Sequence, residues 1–300
     1  MAEREQNASG NDNTQIGGDG VIAGGDITHI THGVDPKEYA ELLAQNMLLI
    51  ESMEARNREN GSADFSLINK RVVVLTGAGI SAESGISTFD GTDEGRWEGY
   101  EKNKLATPDA WKENPELVWR YYQERRRQLL TVRPNPAHQA IFELSSKVEK
   151  FTLITQNVDD LHERSGSDDV IHMHGKLRTL RCENSGKKEE RMQKQDLLVG
   201  FSLCNCCSPP EKLRPDIVWF GEDIHHGSSI QSALQSCDVF IVVGTSGTVY
   251  PAADYVNTVQ KMGGRAILVN LGLPDNIERF QEIHLGEAGK ILPDLVKNWT

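Results

Sequence analysis

The sequence predicts an α/β fold: a Rossmann-like, doubly wound parallel sheet with a small inserted cysteine module and a helical insertion. Three observations predict it. First, continuous apolar runs at 71–76, 150–155, 237–243 and 265–270 have the character of strands buried on both faces, and helical segments, among them 115–130 and 136–147, separate them. Second, the run Val72-Val73-Val74-Leu75-Thr76 passes directly into Gly77-Ala78-Gly79-Ile80-Ser81-Ala82-Glu83-Ser84-Gly85-Ile86, a strand entering a glycine turn that opens a helix. Glycine lets backbone approach a pyrophosphate, and the helix start offers free N–H groups to the anion. Taken alone, the turn is equally an ordinary tight connection. Third, residues 178–215 break the alternation with a polar stretch that holds most of the cysteines.

In chain order, residues 1–66 stand apart from the domain expected over 67–300. The first 35 are rich in Gly, Asn, Asp and Thr, with an echo in Ile16-Gly17-Gly18-Asp19-Gly20 and Ile22-Ala23-Gly24-Gly25-Asp26. They suit a disordered tail or a small β-element pairing between subunits. Asp35-Pro36 starts a predicted helix over 36–55, with Tyr39, Leu42, Leu43, Met47, Leu49, Ile50 and Met53 as its apolar stripe. Such a stripe must pack on something, either the main domain or a second copy in a homo-oligomer. Arg56-Asn57-Arg58-Glu59-Asn60-Gly61-Ser62 has the composition of a linker. In the main domain, strand 150–155 ends in Gln156-Asn157-Val158-Asp159, strand 237–243 in Gly244-Thr245-Ser246, and strand 265–270 in Asn270. These polar and small residues sit at carboxyl ends, where ligands bind in open α/β sheets.

The 300 residues, 38% hydrophobic and 25% charged, suit a globular protein with a sizeable core. A net charge of −12 argues against a general nucleic-acid binder. No apolar run approaches the roughly 20 residues of a membrane span, and the N-terminus lacks a signal-peptide core, so the expected location is cytoplasmic. In a reducing compartment the crowding of Cys204, Cys206 and Cys207 points to metal before disulfide.

Five motifs in order carry a resemblance: the 77–86 turn, Thr155-Gln156-Asn157-Val158-Asp159, His172-Met173-His174-Gly175, Arg214-Pro215-Asp216-Ile217-Val218-Trp219-Phe220-Gly221-Glu222, and Gly244-Thr245-Ser246. Over roughly 68–300 the chain resembles the sirtuin family of NAD-dependent protein deacylases, in its CobB-type class III form. The resemblance implies an NAD site formed by Gly77, Ala78, Gly79, Ile80, Ser81, Glu83, Ser84, Gly85, Phe89, Trp97, Gln156, Asn157, Val158, Asp159, Gly244, Thr245, Ser246, Asn270, Leu271, Gly272 and Ala288. The alternative for Asp159 is a simple helix N-cap for the segment that follows. His174, Asn157 and Asp159 are the implied catalytic residues. The acyl-lysine oxygen would attack the ribose as nicotinamide leaves, with His174 as general base on a ribose hydroxyl. Free lysine and O-acyl-ADP-ribose are the implied products, and acyl-lysine proteins the implied partners. His162 and His172 have no matching role and are taken as structural.

The resemblance also implies that Val218, Trp219, Phe220 and Gly221 pair with the substrate backbone. Tyr122 and Arg125, three apart on one helix face, resemble the pair that accepts succinyl and malonyl lysine, with small Ala106 leaving room. Without that context Arg125-Arg126-Arg127 is simply a basic helix face. The inserted module resembles the family's zinc module, but Cys182 is followed three positions on by Ser185. Cys182 and Cys204 are therefore the primary metal candidates, with Cys207 or Cys206 as a third, and a weakly held or absent zinc is the alternative. Cys237 is expected in the core. Two further departures are Asp90 where the family carries Arg after Phe89, with Arg96 the nearest replacement, and Gly272 where it often carries Glu. An NAD glycohydrolase on the same scaffold is the alternative activity, and a non-enzymatic NAD sensor a third reading.

Overall fold

The structure, a computed structural model, describes residues 65–87, 96–197, 200–274 and 276–300, together with Leu48, Glu51, Ser52 and Ala55. Those four single residues are helical, as predicted over 36–55, and Leu48, outside the predicted stripe, is exposed. The expected tail or β-element, the subunit pairing through it, and the readings of Phe89 and Asp90 lie outside the described residues.

Strand β1 (Arg71–Thr76) leads into the short helix α1 (Ala78–Ala82). A two-residue hairpin, β2 (Arg96–Trp97) and β3 (Tyr100–Glu101), precedes α2 (Lys102–Leu105), α3 (Pro108–Glu113), α4 (Pro115–Leu129) and α5 (Pro136–Ser145). Thr107, Asn114 and Asn135 cap α3, α4 and α5 through their side chains, each just before a proline whose missing N–H costs nothing there. Next come β4 (Lys150–Thr155), α6 (Leu161–Arg164), β5 (Ile171–His172), β6 (Gly175–Cys182), β7 (Lys188–Glu190) and β8 (Leu213–Ile217). The chain closes with α7 (Gly227–Ser236), β9 (Val239–Val243), α8 (Tyr255–Lys261), β10 (Arg265–Asn270), β11 (Glu282–Leu285) and α9 (Ala288–Trp299). Among the described residues no helix is long and apolar enough to cross a membrane.

The main sheet has the order β11-β10-β9-β1-β4-β5, and every pairing in it is parallel. From β1 the chain winds outward through β4 to β5, then returns to β9 on the other side of β1. That is the predicted doubly wound order, with its switch point between β1 and β9. Both faces are covered. Val73 and Leu75 join α7 and α8 in one core, whereas Val72 and Val74 join α5 and α9 in another. Each such buried side chain contributes about 1.5–3 kcal/mol of hydrophobic stabilisation. The four predicted strands and two predicted helices stand within about two residues of their expected bounds, while β11 and the short β5 were not foreseen. The departure at 178–215 is an antiparallel sheet of order β7-β6-β8. Its inner side chains share a third core with α3 and α4.

Candidate active site

The carboxyl ends of β1, β4, β9 and β10 bring Gly77, Gln156, Asn157, Gly244, Thr245 and Asn270 to one edge of the sheet. At the switch point two turns interlock. The Gly77 amide donates to the Val243 carbonyl at 2.9 Å and the Gly79 amide to the Gly244 carbonyl at 2.8 Å. A Cβ on Gly244, whose φ is +62°, would stand 2.5 Å from the Ile80 nitrogen, and one on Gly77 2.6 Å from the Gly244 oxygen. Glycine is therefore required here by backbone meeting backbone, before any anion is considered.

Behind the turn lies a buried polar network. The Asn157 side-chain amide donates to the Gly77 carbonyl and to the Ser81 hydroxyl, each at 2.9 Å, and Ser81 donates to Asp159 Oδ2 at 2.9 Å. Asp159 Oδ1 accepts the Leu161 amide at 3.1 Å, so the carboxylate serves the start of α6 and the network together. Burial raises its pKa against the opposing pull of those two donors. The Asn157 backbone is fixed at both ends, its amide by Thr155 Oγ and its carbonyl by His172 Nδ1, each at 3.0 Å. His172 also meets Glu163 at 2.9 Å. Burial would raise the Glu163 carboxyl, but the His172 and Lys176 bonds hold it at about 2. His162 is packed on His138 and bonded to Thr76, and burial lowers it to about 3. Both histidines make hydrogen bonds to protein groups that flank the turn.

His174 enters from the loop before β6. Its Nδ1 is 3.0 Å from the Gln156 carbonyl, which can only accept, so Nδ1 carries the proton and Nε2 keeps its lone pair. Burial lowers its pKa, the Gln156 bond opposes that, and nearby His225 adds to the lowering. Gly175 follows because β6 crosses β8 closely: with φ at +86°, a Cβ there would lie 1.9 Å from the Asp216 oxygen.

A family model described as the Sir2 family matches residues 77–251. The chain belongs to the Sir2 family. A relative named NAD-dependent protein deacylase from Pasteurella multocida (strain Pm70) is 47% identical over 226 residues, 74% of this chain and 95% of that protein. One of the same name from Vibrio cholerae serotype O1 is 45% identical over 237 residues, 78% of this chain and 94% of the relative. Among solved structures, a Sir2 homologue in complex with NAD aligns with a TM-score of 0.71 at 38% identity, covering 78% of this chain and 91% of that one. A Sir2 protein bound to acetylated peptide aligns at 0.66 and 30% identity, covering 77% and 94%.

In this Sir2-family chain, α4 carries three successive arginines with three fates. Arg125 is half-buried beside Tyr121, its guanidinium carbon 5.7 Å from the ring centre, and it forms no ion pair among the described residues. Arg126 is buried and donates to the Leu177 and Arg191 carbonyls and to Gln123. Arg127 donates to the Leu197 carbonyl. Of the three, Arg126 and Arg127 reach backbone carbonyls among the described residues, whereas Arg125 meets the Tyr121 side chain. Tyr122 is buried one step away, with Ala106 and Trp219 in the same core. The segment after β8 is a loop, not a strand. The amides of Val218 and Phe220 donate to the His174 and Ala106 carbonyls, and that of Trp219 to Glu222.

The Sγ atoms of Cys182, Cys204, Cys206 and Cys207 all lie within 4.8 Å of one another. Cys182–Cys207 and Cys206–Cys207 are 3.6 and 3.8 Å apart. A tetrahedral zinc with sulfurs at about 2.3 Å separates them by about 3.8 Å, so this donor set fits that ion. Cys182 and Cys204, expected as the primary pair with Cys207 or Cys206 as a third, thus stand with both of those cysteines in one group that could hold a metal ion. Ser185 Oγ is 3.0 Å from Cys206 Sγ, so Cys206 reaches the corner where a C-x-x-C partner of Cys182 would stand. Cys237 is buried in the sheet core, as expected.

Several expected cofactor residues have protein partners of their own. Both carboxylate oxygens of Glu83 accept the Gly289 amide beside Ala288, at 3.1 and 3.0 Å, which ties α1 to the start of α9. Ser84 accepts from Asn135 at 3.0 Å. Trp97 packs edge-on against Tyr121 and donates to Glu124 at 2.9 Å, on the α4 side of the molecule. The Asn270 amide donates to the Thr245 and Gly272 carbonyls, bracing the β9 and β10 ends, while Leu271 is exposed. Arg214 and Glu222, inside the longest motif but unassigned from sequence, form a two-point ion pair at 2.7 and 2.9 Å.

Proposed function

We propose that this chain is an NAD-dependent protein-lysine deacylase that removes acetyl and acidic acyl groups, releasing nicotinamide, O-acyl-ADP-ribose and free lysine. The observation that carries this is His174: its Nδ1 bond to the Gln156 carbonyl leaves Nε2 unprotonated, and Asn157, the residue after Gln156, has its side chain bonded to the Gly77 turn. When bound there, NAD supplies an electrophilic ribose carbon and a hydroxyl of raised acidity. Gly77, Ala78, Gly79, Ile80 and Gly85 shape the turn under its pyrophosphate, and Gly244, Thr245 and Ser246 face its adenosine. Gln156, Asn157, Val158 and Asp159 enclose the nicotinamide ribose, and the Ser81–Asn157–Asp159 bonds hold that wall in place before ligand arrives. His174 accepts a ribose-hydroxyl proton at Nε2 and returns it at the end. Val218–Gly221 receives the backbone of an acyl-lysine protein. Tyr122 and Arg125 bind an acyl carboxylate, and Ala106 leaves it room. The relatives' shared name and the acetylated-peptide complex support deacylation over the glycohydrolase reading, which has no need of an acyl pocket.

The test is mass spectrometry on matched acetyl-lysine and succinyl-lysine peptides with NAD. The unmodified enzyme removes both groups. Arg125→Met loses succinyl turnover by about 10- to 100-fold relative to acetyl, the worth of a charge-assisted contact. His174→Asn loses both activities while still binding NAD. Conversion of NAD to ADP-ribose with both peptides untouched would replace this reading by the glycohydrolase.

A further inference from the structure

Tyr122 reaches its neighbour through one buried hydrogen bond. Trp219 Nε1 donates to Tyr122 Oη at 2.9 Å, with the rings 6.3 Å apart and tilted by 33°. Tyr122 is 4% exposed and Trp219 1%. An indole N–H can only donate, so the phenol oxygen is the acceptor. Burial raises the Tyr122 pKa, and the phenol therefore keeps its own proton at working pH. That proton lies in the ring plane on one of two sides of the C–O bond. With the indole on one side, it turns to the other, where no acceptor stands among the described residues. A buried donor in that condition carries a free-energy cost that an incoming acceptor oxygen would relieve.

Trp219 is itself held fast. The Arg214 guanidinium carbon lies 3.3 Å from its ring centre. Glu222 grips Arg214 at two points, accepts the Trp219 backbone amide at 2.9 Å, and takes a bond from Arg181 at 2.9 Å. These contacts hold the indole where its N–H meets the phenol oxygen.

We propose that Trp219 is a specificity-determining positioning residue that acts through Tyr122. By occupying the acceptor side of the phenol it makes Tyr122 an obligate donor toward the acyl pocket. Together with Arg125 this favours acyl chains that end in a carboxylate over neutral ones. The proposal rests on the reading of Tyr122 and Arg125 as an acidic-acyl pocket.

The experiment measures kcat and KM for succinyl-lysine and acetyl-lysine peptides in the full chain, with Trp219→Phe, Tyr122→Phe and the double variant. Trp219→Phe is expected to lower the succinyl-to-acetyl ratio of kcat/KM by about three- to tenfold, the worth of one neutral hydrogen bond, chiefly through the succinyl KM. Tyr122→Phe lowers the ratio as well, and the double variant goes no lower than Tyr122→Phe alone. An unchanged ratio in Trp219→Phe, with Tyr122→Phe lowering it, overturns the proposal and leaves the pocket standing. Equal losses of both activities, or a further fall of the ratio in the double variant, overturn it in favour of plain packing. If Tyr122→Phe and Arg125→Met both leave the ratio unchanged, the pocket reading itself fails. A second measurement keeps the Trp219 side chain: 3-fluorotyrosine at position 122, a more acidic phenol and stronger donor, raises the ratio, and a fall would overturn the proposal.

Discussion

The Nδ1 proton of His174 is committed to the Gln156 carbonyl, so the tautomer is fixed before substrate binds. Only the neutral ring can act as a base, and burial makes protonation harder than in water. The working form therefore persists to lower pH than for a free histidine, and activity is lost as pH falls through the lowered pKa. The acid limb of kcat/KM against pH is expected below the ordinary value of about 6.5. A limb at or above that value would mean that another group sets the profile. At this scale His174, Asn157 and Tyr122 were legible as types in a motif. Their partners were not. The sharing of the Asp159 carboxylate between Ser81 and Leu161, and the turn of Glu83 toward Gly289, depend on residues far apart in the chain. The N-cap alternative for Asp159 is corrected by one position, since Asp160 holds the N-cap of α6, while Asp159 accepts the Leu161 amide with one oxygen and the Ser81 hydroxyl with the other.

Among the elements, the buried runs were the most readable, because a parallel strand covered on both faces must be apolar throughout. β11 escaped notice since Glu282 and His284 interrupt it, and they are tolerated by pairing with each other at 2.7 Å and, for Glu282, with Arg265. The cysteine module was readable as a metal site but not in its full ligand set. Spacing alone gives Cys182 a serine partner, and only the folded loop carries Cys206 to that corner. Two variants test this. Cys206→Ser is expected to release zinc at least about tenfold faster to a competing chelator, since three thiolates remain. Adding Ser185→Cys to it restores retention, because the new thiol begins where Ser185 Oγ already touches Cys206. Zinc retention by Cys206→Ser equal to that of the unmodified chain would return Cys206 to the status of a surface thiol.

At the scale of the whole molecule, the described residues divide their buried side chains between three cores. Two lie on the faces of the parallel sheet, under the glycine turns. The third joins the module to α3 and α4 and contains Cys182, Cys204, Leu213, Tyr122 and Trp219 together. Gln123, Arg126 and Arg127 reinforce that joint by donating to the carbonyls of Asp196, Leu177, Arg191 and Leu197. The cysteine cluster therefore shares a core with Tyr122 and Trp219, and that core does not include the glycine turns at Gly77 and Gly244. Removing a metal from the four thiols should loosen β6 to β8 and the helix packed on them, and leave the parallel sheet intact. Chelated protein is expected to lose peptide deacylation by more than about tenfold while its NAD affinity stays within about threefold, as calorimetry on the same sample would read. The two functions separate because stability is not uniform across a fold, and cores with few shared side chains loosen independently. Parallel loss of NAD affinity would show instead that the three cores open as one unit, and that the module holds up the whole sheet.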